Sequence, residues 1–282
     1  MSPSRPRRKS GADGDAGLVR DATHGVDPRS AGWTYLSFRI VRRAAGEEFN
    51  GQTGGEETAL IWLGGIAEVD GVGEVGERDD VFSGLPSALL LPPGSSYRLR
   101  ARTALELAVV SAPADADSRP RLIRPGDIAV EMRGEGVTER RIHWILSEND
   151  PAARLLLVEV LTPAGHWSTY PPHKHDEDKD GVERALEELY YYRFKPEQGF
   201  AFQGIYTKPS SSPLVGEGRG GGLNVSIRAR NHDLVLVPRG YHVVSAAPGY
   251  DCYYLNAMAG AVREWLFTTD PDHEWLMDWN KS

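Results

Sequence analysis

The chain has 282 residues, and its 32 lysine and arginine side chains against 40 aspartate and glutamate side chains give a formal net charge of −8. This length suits one large domain or two modest ones, and a 40% hydrophobic content excludes wholesale disorder. No apolar run approaches the ~18–20 residues that a membrane span needs, and the acidic balance argues against nucleic-acid binding. The single cysteine, Cys252, excludes an internal disulfide and a cysteine-rich zinc site, so we predict a reducing, cytoplasmic setting.

The N-terminal segment differs in composition from the rest of the chain. It contains four basic residues within its first nine, followed by glycine, alanine and aspartate. No apolar segment follows the basic cluster, so the segment is not a secretory signal. We predict that residues 1–30 form a disordered basic tail, with a polyanion-binding arm as the alternative.

From Trp33 onward the chain has the pattern of β-strands. Short runs of apolar, aromatic and β-branched residues, separated by glycine and proline, occupy residues 35–41, 58–63, 88–91 and 105–110. Residues 112–125 are polar and proline-rich and are interpreted as a linker. Further runs follow at 154–160, 190–192, 200–206, 233–238 and 253–255, and a Ser/Pro/Gly-rich segment at 210–222 predicts a mobile surface loop. The pattern indicates an all-β sandwich or barrel.

The two halves of the chain share one turn. The segment Leu89-Leu-Leu-Pro-Pro-Gly94 parallels Leu234-Val-Leu-Val-Pro-Arg-Gly240, since both are apolar strands that end in Pro-x-Gly. A duplicated β module explains this similarity. We therefore predict an N-terminal module over residues 31–115 and a C-terminal module over residues 125–282.

Histidines are concentrated in the second half. In His173-Lys-His175, the two imidazoles lie on the same face of a strand and can bind one metal ion. Twelve residues separate His175 from Glu188, which on a strand shares a face with Tyr190 and Tyr192 and is a candidate third ligand. The alternative is a helix in this segment, in which Glu188 would face solvent.

A fourth candidate ligand, His242, follows the second Pro-x-Gly turn. The first turn is instead followed by Ser95, Ser96 and Tyr97, and no His-x-His precedes it. If the halves are duplicates, the N-terminal module lacks metal ligands and the C-terminal module carries the site.

Three histidines and one glutamate in this order resemble the cupin metal site. Four segments resemble, more specifically, the 5-deoxy-glucuronate isomerases of bacterial inositol catabolism: Tyr170-Pro-Pro-His-Lys-His-Asp176, Leu186-Glu-Glu-Leu-Tyr-Tyr-Tyr-Arg-Phe194, Gln198-Gly-Phe-Ala-Phe-Gln203 and Gly249-Tyr-Asp-Cys-Tyr-Tyr-Leu-Asn256. The resemblance implies a bicupin of two jelly-roll antiparallel β-barrels. It also implies the aldose–ketose isomerisation of 5-deoxy-glucuronate, a small uronate sugar, to 5-dehydro-2-deoxy-gluconate.

The resemblance also implies the site residues. The metal ligands are His173, His175, Glu188 and His242, and the ion is divalent. We favour zinc because isomerisation needs a Lewis acid and no redox change, with manganese, iron and nickel as alternatives.

Residues near these ligands in sequence supply the remaining candidates. We predict catalytic roles for Tyr192 and Gln203, and we predict that Arg193 binds the substrate carboxylate through its two-pronged guanidinium, although strict alternation would turn it outward. The chain departs from the family at Gly204, where members carry arginine, and along residues 133–140, which replace an asparagine-rich stretch.

Two other functions fit the same ligand set. Three histidines and a glutamate also suit the iron centre of a cupin dioxygenase, and a non-catalytic sugar-binding cupin needs only the cavity. Oxygen uptake on substrate addition would separate the dioxygenase from the isomerase. The sequence does not decide between a monomer and a homo-oligomer.

Overall fold

The computed structural model describes residues 17–115, 119–208 and 222–277. Residues 1–16 of the predicted tail and residues 210–221 of the predicted loop lie outside these ranges. No helix within them is long and apolar enough to cross a membrane.

The first module consists of two facing antiparallel sheets. Its five-stranded sheet has the order β10-β7-β4-β9-β2 and its four-stranded sheet the order β3-β8-β5-β6. The strands are β2 (Ser37–Arg43), β3 (Glu48–Gln52), β4 (Glu56–Gly64), β5 (Ala67–Val69), β6 (Gly73–Val75), β7 (Ala88–Leu91), β8 (Ser96–Ala101), β9 (Leu105–Pro113) and β10 (Arg121–Ile123).

The second module repeats this plan with more strands. Its sheets have the orders β1-β18-β15-β20-β13-β12-β11 and β17-β16-β19-β14-β21. The strands are β1 (Val19–Asp21), β11 (Ala129–Arg133), β12 (Arg140–Leu146), β13 (Leu156–Thr162), β14 (Trp167–Lys174), β15 (Leu186–Lys195), β16 (Phe200–Tyr206), β17 (Asn224–Arg230), β18 (Asp233–Val237), β19 (Tyr241–Ala246), β20 (Asp251–Gly260) and β21 (Thr268–Thr269). The helices are one turn of α-helix, α1 (Pro28–Ala31), and 3₁₀ segments at Pro125–Asp127, Gly136–Thr138 and Pro271–Met277.

The central strand order is the same in both modules. The run β7-β4-β9-β2 corresponds to β18-β15-β20-β13, and β3-β8-β5-β6 corresponds to β14-β19-β16-β17. This duplication confirms the all-β bicupin prediction, with each module built from two facing sheets rather than one closed barrel. The segment for which a helix was the alternative lies in the strand β15, so Glu188 has strand neighbours on both sides.

Alternation along the large sheets produces three large apolar cores, beside a small cluster of Leu156, Leu186 and Met258. Within the first module, Leu60 and Trp62 belong to one core, and within the second, Tyr190 and Tyr192 belong to another. The third core lies between the modules, where Ile61, Tyr191 and their neighbours meet. The central strands of each large sheet are therefore buried on both faces, because successive side chains of one strand enter different cores.

The module boundaries are interleaved. Val19 pairs with Val235, so β1 forms the edge of the second module's large sheet. Residues 17–30 are thus ordered, which differs from the predicted tail, because the edge of β18 offers backbone partners that composition alone does not reveal. Within the predicted linker of residues 112–125, the strand β10 pairs with β7 of the first module.

A buried polar cluster also joins the modules. Both guanidinium Nη atoms of Arg78 donate to the carboxylate of Glu159, at 2.8 and 2.9 Å. The hydroxyl of Tyr253 donates to the same carboxylate at 2.9 Å, and the Nδ1 atom of His143 lies 2.7 Å from it. Burial alone would raise the pKa of Glu159, but Arg78 and then His143 hold it below its ordinary value. The carboxylate is therefore ionised and satisfied in the seam between the sheets.

Candidate metal centre and substrate cavity

Three side chains converge inside the second module. The Nε2 atoms of His175 and His242 lie 3.1 and 3.0 Å from the same oxygen, Oε2 of Glu188. The ligand atoms of this group all lie within 4.8 Å of one another, and all three residues are buried. This is the only such group found in the described ranges that combines histidine and carboxylate ligands.

Local structure explains why these side chains meet. Glu188 enters the module interior from near the start of β15, on the same face as Tyr190. His242 follows the turn at Gly240, whose φ of +88° and close approach to the carbonyl oxygen of Tyr206 leave no room for a Cβ. His173 of β14 pairs directly with His242 of β19, which brings the His-x-His segment to the same end of the module.

The tautomers of the histidines indicate a cation site. The Nδ1 atoms of His173, His175 and His242 face the backbone carbonyl oxygens of Pro171, Leu186 and Gly240 at 3.2–3.3 Å. A carbonyl oxygen only accepts, so each Nδ1 carries a proton, and in the neutral form of each ring the Nε2 atom presents a lone pair. In that form, the lone pairs of His175 and His242 point at the same carboxylate oxygen of Glu188. A bound cation satisfies all three, and the mixed donor set suits a divalent ion.

The pKa shifts of these residues also indicate a cation site. Burial would raise the pKa of Glu188, but the adjacent His242 and His175 hold it well below its usual range. Burial would lower the pKa of His175, and the charge of Glu188 raises it above the ordinary value instead, which shows that this carboxylate attracts positive charge to the Nε2 position, as a proton or as a metal ion. Burial and then the neighbouring His242 lower the pKa of His173, which keeps its ring neutral.

His173 lies at the edge of the group. Its ring centroid is 4.8 Å from that of His242 and 6.2 Å from that of His175, and it also contacts the ring of Phe267 at 4.7 Å. His173 does not belong to the group of His175, Glu188 and His242, whose ligand atoms lie within 4.8 Å of one another. His173 therefore borders the centre on its open side.

Asn256 supports Glu188 from β20. Its Nδ2 atom donates to Oε1 of Glu188 at 2.6 Å, which leaves Oε2 directed at the two histidines. Asn256 ends the family-like segment Gly249–Asn256, but the sequence alone assigns it no role. Its contribution follows from the pairing of Tyr190 with Asn256 across β15 and β20, which is not visible in the sequence. Such partners fix the orientation of a metal-binding carboxylate.

A cavity opens next to these ligands. The free space, including the part open to solvent, is about 410 Å³. Its apolar wall comes from Ile142, Val158 and Val160, and its other lining residues are Arg133, Arg140, Thr169, His173, Glu188, Tyr190, Tyr254, Asn256 and Trp265. The lining combines an apolar wall with charged and hydrogen-bonding side chains, which suits a small polar ligand.

The predicted catalytic pair lies deeper in the module. The hydroxyl of Tyr192 donates to Oε1 of Gln203 at 2.9 Å, both residues are buried, and neither lines the cavity. Burial raises the pKa of Tyr192 well above its ordinary value. Tyr190, one strand position nearer to Glu188 on the same face, reaches the cavity instead.

Arg193 and Gly204 both face away from the cavity. Arg193 lies on the side of β15 that faces the first module, where its guanidinium pairs with Glu106 of β9. The structure therefore does not bring it to the position predicted for the substrate carboxylate, because odd-numbered residues of β15 point into the seam. Gly204 alternates with the inward Gln203 on β16, so a longer side chain there would project outward.

Comparisons with known proteins agree with this geometry. A curated 5-deoxy-glucuronate isomerase of Geobacillus thermodenitrificans is 45% identical over 258 residues, which are 90% of each chain. The corresponding protein of Geobacillus kaustophilus is 43% identical over the same share. Both relatives span nearly the whole described chain.

Solved structures and a family model also match this chain. The crystal structure of an IolB-like protein from Salmonella typhimurium matches with a TM-score of 0.85 and 38% identity, over 92% of this chain and 99% of that one. Oxalate decarboxylase of Lactobacillus farciminis matches with a TM-score of 0.60 at 12% identity, over 90% and 84%, which shows the shared cupin fold alone. The model of the KduI/IolB family matches residues 13–276. The chain therefore belongs to the KduI/IolB family.

Proposed function

We propose that the protein is a metal-dependent aldose–ketose isomerase that converts 5-deoxy-glucuronate to 5-dehydro-2-deoxy-gluconate in the cytoplasm. The observation that carries the proposal is the convergence of His175, His242 and Glu188 beside a small cavity, in a chain whose curated relatives are named for this isomerase. The relatives favour neither the dioxygenase nor the non-catalytic sugar-binding cupin.

The ligand assignment follows from the donor atoms. We assign His175, Glu188 and His242 to the ion, with His173 as the fourth ligand from the open side, and zinc as the metal. A bound divalent cation supplies a Lewis acid for the neighbouring carbonyl and hydroxyl oxygens of a sugar. Asn256 holds Glu188 in place through the oxygen that faces away from the histidines.

Other side chains of the cavity act on the substrate directly. Burial and then the charge of Glu188 raise the pKa of Tyr190 well above its ordinary value, so its hydroxyl remains protonated. Tyr190 therefore donates a hydrogen bond to a sugar oxygen that gains negative charge as the proton moves between neighbouring carbons. The apolar wall of Ile142, Val158 and Val160 keeps water from this oxygen, which strengthens that hydrogen bond.

The test combines metal analysis with an NMR assay of 5-deoxy-glucuronate under anaerobic conditions. We expect one divalent ion per chain, conversion to the ketose without oxygen, loss of the rate after chelation and its recovery with zinc. Oxygen consumption that accompanies turnover would contradict the isomerase and support the dioxygenase. Saturable sugar binding without any conversion would support the non-catalytic cupin.

A further inference from the structure

One buried arginine in the cavity has no carboxylate partner. Arg140 begins β12 and is only 6% exposed. It lines the same cavity as His173 and Glu188. No carboxylate of residues 17–115, 119–208 and 222–277 forms an ion pair with it, whereas Arg78, the other buried arginine of the described chain, is paired with Glu159.

The hydrogen bonds of Arg140 hold its guanidinium without neutralising it. Its Nη1 atom donates to the carbonyl oxygen of Thr138 at 2.9 Å, and its Nη2 atom donates to that of Tyr170 at 3.3 Å. These bonds use two of the five N–H donors of a guanidinium. The group is thus fixed in orientation, and donors remain for a ligand in the cavity.

The second arginine of the cavity is in a different state. Arg133 forms a two-pronged ion pair with Glu131, at 2.7 and 3.0 Å, and it packs over the ring of Trp144. Its charge is therefore already matched. Burial lowers the pKa of Arg140, but an arginine stays protonated at neutral pH, so the cavity contains one unmatched positive charge. A buried charge without a partner is unfavourable and is relieved by an anionic ligand.

We propose that Arg140 binds the carboxylate of the substrate and thereby selects uronates over neutral sugars. This assignment rests on the proposed function for the identity of the sugar, and it gives Arg140 the role that sequence proximity assigned to Arg193. The guanidinium fork matches a carboxylate through two charge-assisted hydrogen bonds. Because His173 and Glu188 also line the cavity, a sugar acid can place its carbonyl end at these two residues and its carboxylate at Arg140.

The first test compares enzyme variants on two substrates. Arg140→Gln is assayed on 5-deoxy-glucuronate and on 5-deoxy-glucose, in which a neutral hydroxymethyl group replaces the carboxylate. We expect kcat/KM for the uronate to fall on the order of 100-fold, mainly through KM, because a buried charge partner is lost. For the neutral sugar we expect a change of at most about threefold. Equal losses on both substrates would overturn the proposal, since they indicate a structural role.

Two further variants control the comparison. Arg141→Gln removes the same charge from the next residue of β12, which faces outward and is exposed, so KM for the uronate should not change. Arg140→Lys keeps the charge but loses the fork, and it should lose about tenfold on the uronate and little on the neutral sugar. If Arg140→Gln does not fold, the lysine variant carries the same two-substrate comparison. An unchanged preference for the uronate in that variant would overturn the proposal.

An equilibrium measurement separates this proposal from the proposed function. The aldehydes of both sugars are reduced to alcohols, which cannot isomerise, and each product is titrated calorimetrically into the metal-loaded protein. We expect wild type and Arg141→Gln to bind the reduced uronate at least tenfold more tightly than the reduced neutral sugar, and Arg140→Gln to lose this difference. Selective binding without any turnover of 5-deoxy-glucuronate would support the anion site and contradict the isomerase. Normal turnover of 5-deoxy-glucuronate together with unchanged uronate binding in Arg140→Gln would support the isomerase and contradict the anion site at Arg140.

Discussion

The two modules share a strand order and differ in the side chains of their inner faces. Thr58 pairs with Leu91 just before the first Pro-x-Gly turn, and Glu188 pairs with Val237 just before the second, so Thr58 occupies the position of Glu188. Two residues further along the same strands, Leu60 pairs with Val109 in the first module, and Tyr190 pairs with Asn256 in the second. The first module thus has threonine and valine at the positions of the proposed metal-binding carboxylate and its supporting amide.

The strands after the two turns differ in the same way. The first module sends Tyr97 and Leu99 inward, where the second sends His242 and Val244. Gly51 pairs with Tyr97 as His173 pairs with His242, and a Cβ on Gly51 would lie 2.4 Å from the hydroxyl of Tyr97. The ring of Tyr97 therefore fills the space that ligands occupy in the second module. One backbone plan supports a packed core in one module and a polar site in the other, which shows that function depends on the side chains placed on the fold.

The largest effect is expected from removing the carboxylate of Glu188, with a substitution of Thr58, the corresponding residue of the first module, as the control. Glu188→Gln keeps the shape but removes the charge that binds the cation, so bound metal should be lost and kcat should fall by at least about 10³-fold. Thr58→Val, at the matching position of the first module, should leave both unchanged. Metal per chain after gel filtration and the NMR rate check this. Full metal content in Glu188→Gln would show that the ligand assignment is wrong.

The seam between the modules gives the next largest effect. Arg78→Met leaves the buried carboxylate of Glu159 without its main partner, which should cost about 3–5 kcal/mol of unfolding free energy. Arg98→Met, which breaks an exposed pair with Glu48 in the first module, is the control and should leave the denaturation midpoint nearly unchanged. Equal midpoints for the two variants in urea would show that the buried cluster does not hold the modules together.

Acid should act on the same cluster. The folded-state pKa of Glu159 is lowered, so its contribution to stability is full above the unfolded pKa of about 4.3 and is lost as the pH falls through the folded value. We expect wild type to lose stability over this range and Glu159→Gln, already less stable at pH 7, to show a shallower slope. Parallel slopes in urea titrations between pH 3 and pH 6 would contradict this assignment.

A moderate effect is expected at the amide that supports the metal ligand. Asn256→Val gives the second module the residue that the first has at this position, and it leaves Oε1 of Glu188 without its donor. Metal affinity should fall about 10–100-fold, as measured by competition with a chelator. Val109→Ala in the first module is the control, with some loss of stability and unchanged metal affinity. Wild-type affinity in Asn256→Val would remove the amide from the site.

The smallest effect is expected at Gly204. Because β16 alternates, Gly204→Arg places the arginine that the sequence resemblance leads us to expect on the outer face, away from the cavity. We expect kcat and KM for 5-deoxy-glucuronate to stay within about twofold of wild type. A larger change in KM, measured at equal metal content, would mean that this face contacts the substrate.

The sequence predicts the site residues whose positions depend on strand alternation or on a turn. The period of two places His173 and His175 together and puts Glu188 on the face of Tyr190, and the Pro-x-Gly turn marks His242. Alternation also turns Arg193 into the seam, against a prediction that was based on nearness in sequence. Asn256 and Arg140 could not be predicted, because pairing across strands and a cavity formed by distant segments bring them to the site. The ordered segment before Trp33 was missed for the same reason, since its partner is β18, more than 200 residues later.

The measurement that tests the central claim most directly is anomalous X-ray scattering from crystals of the active, metal-loaded protein. The account predicts one peak per chain inside the second module, within bonding distance of Nε2 of His175 and His242 and of Oε2 of Glu188. It predicts no peak at the matching place in the first module, beside Thr58 and Tyr97. A peak in the first module, or fully active crystals with no peak at Glu188, would contradict the claim that the second module alone carries the metal centre.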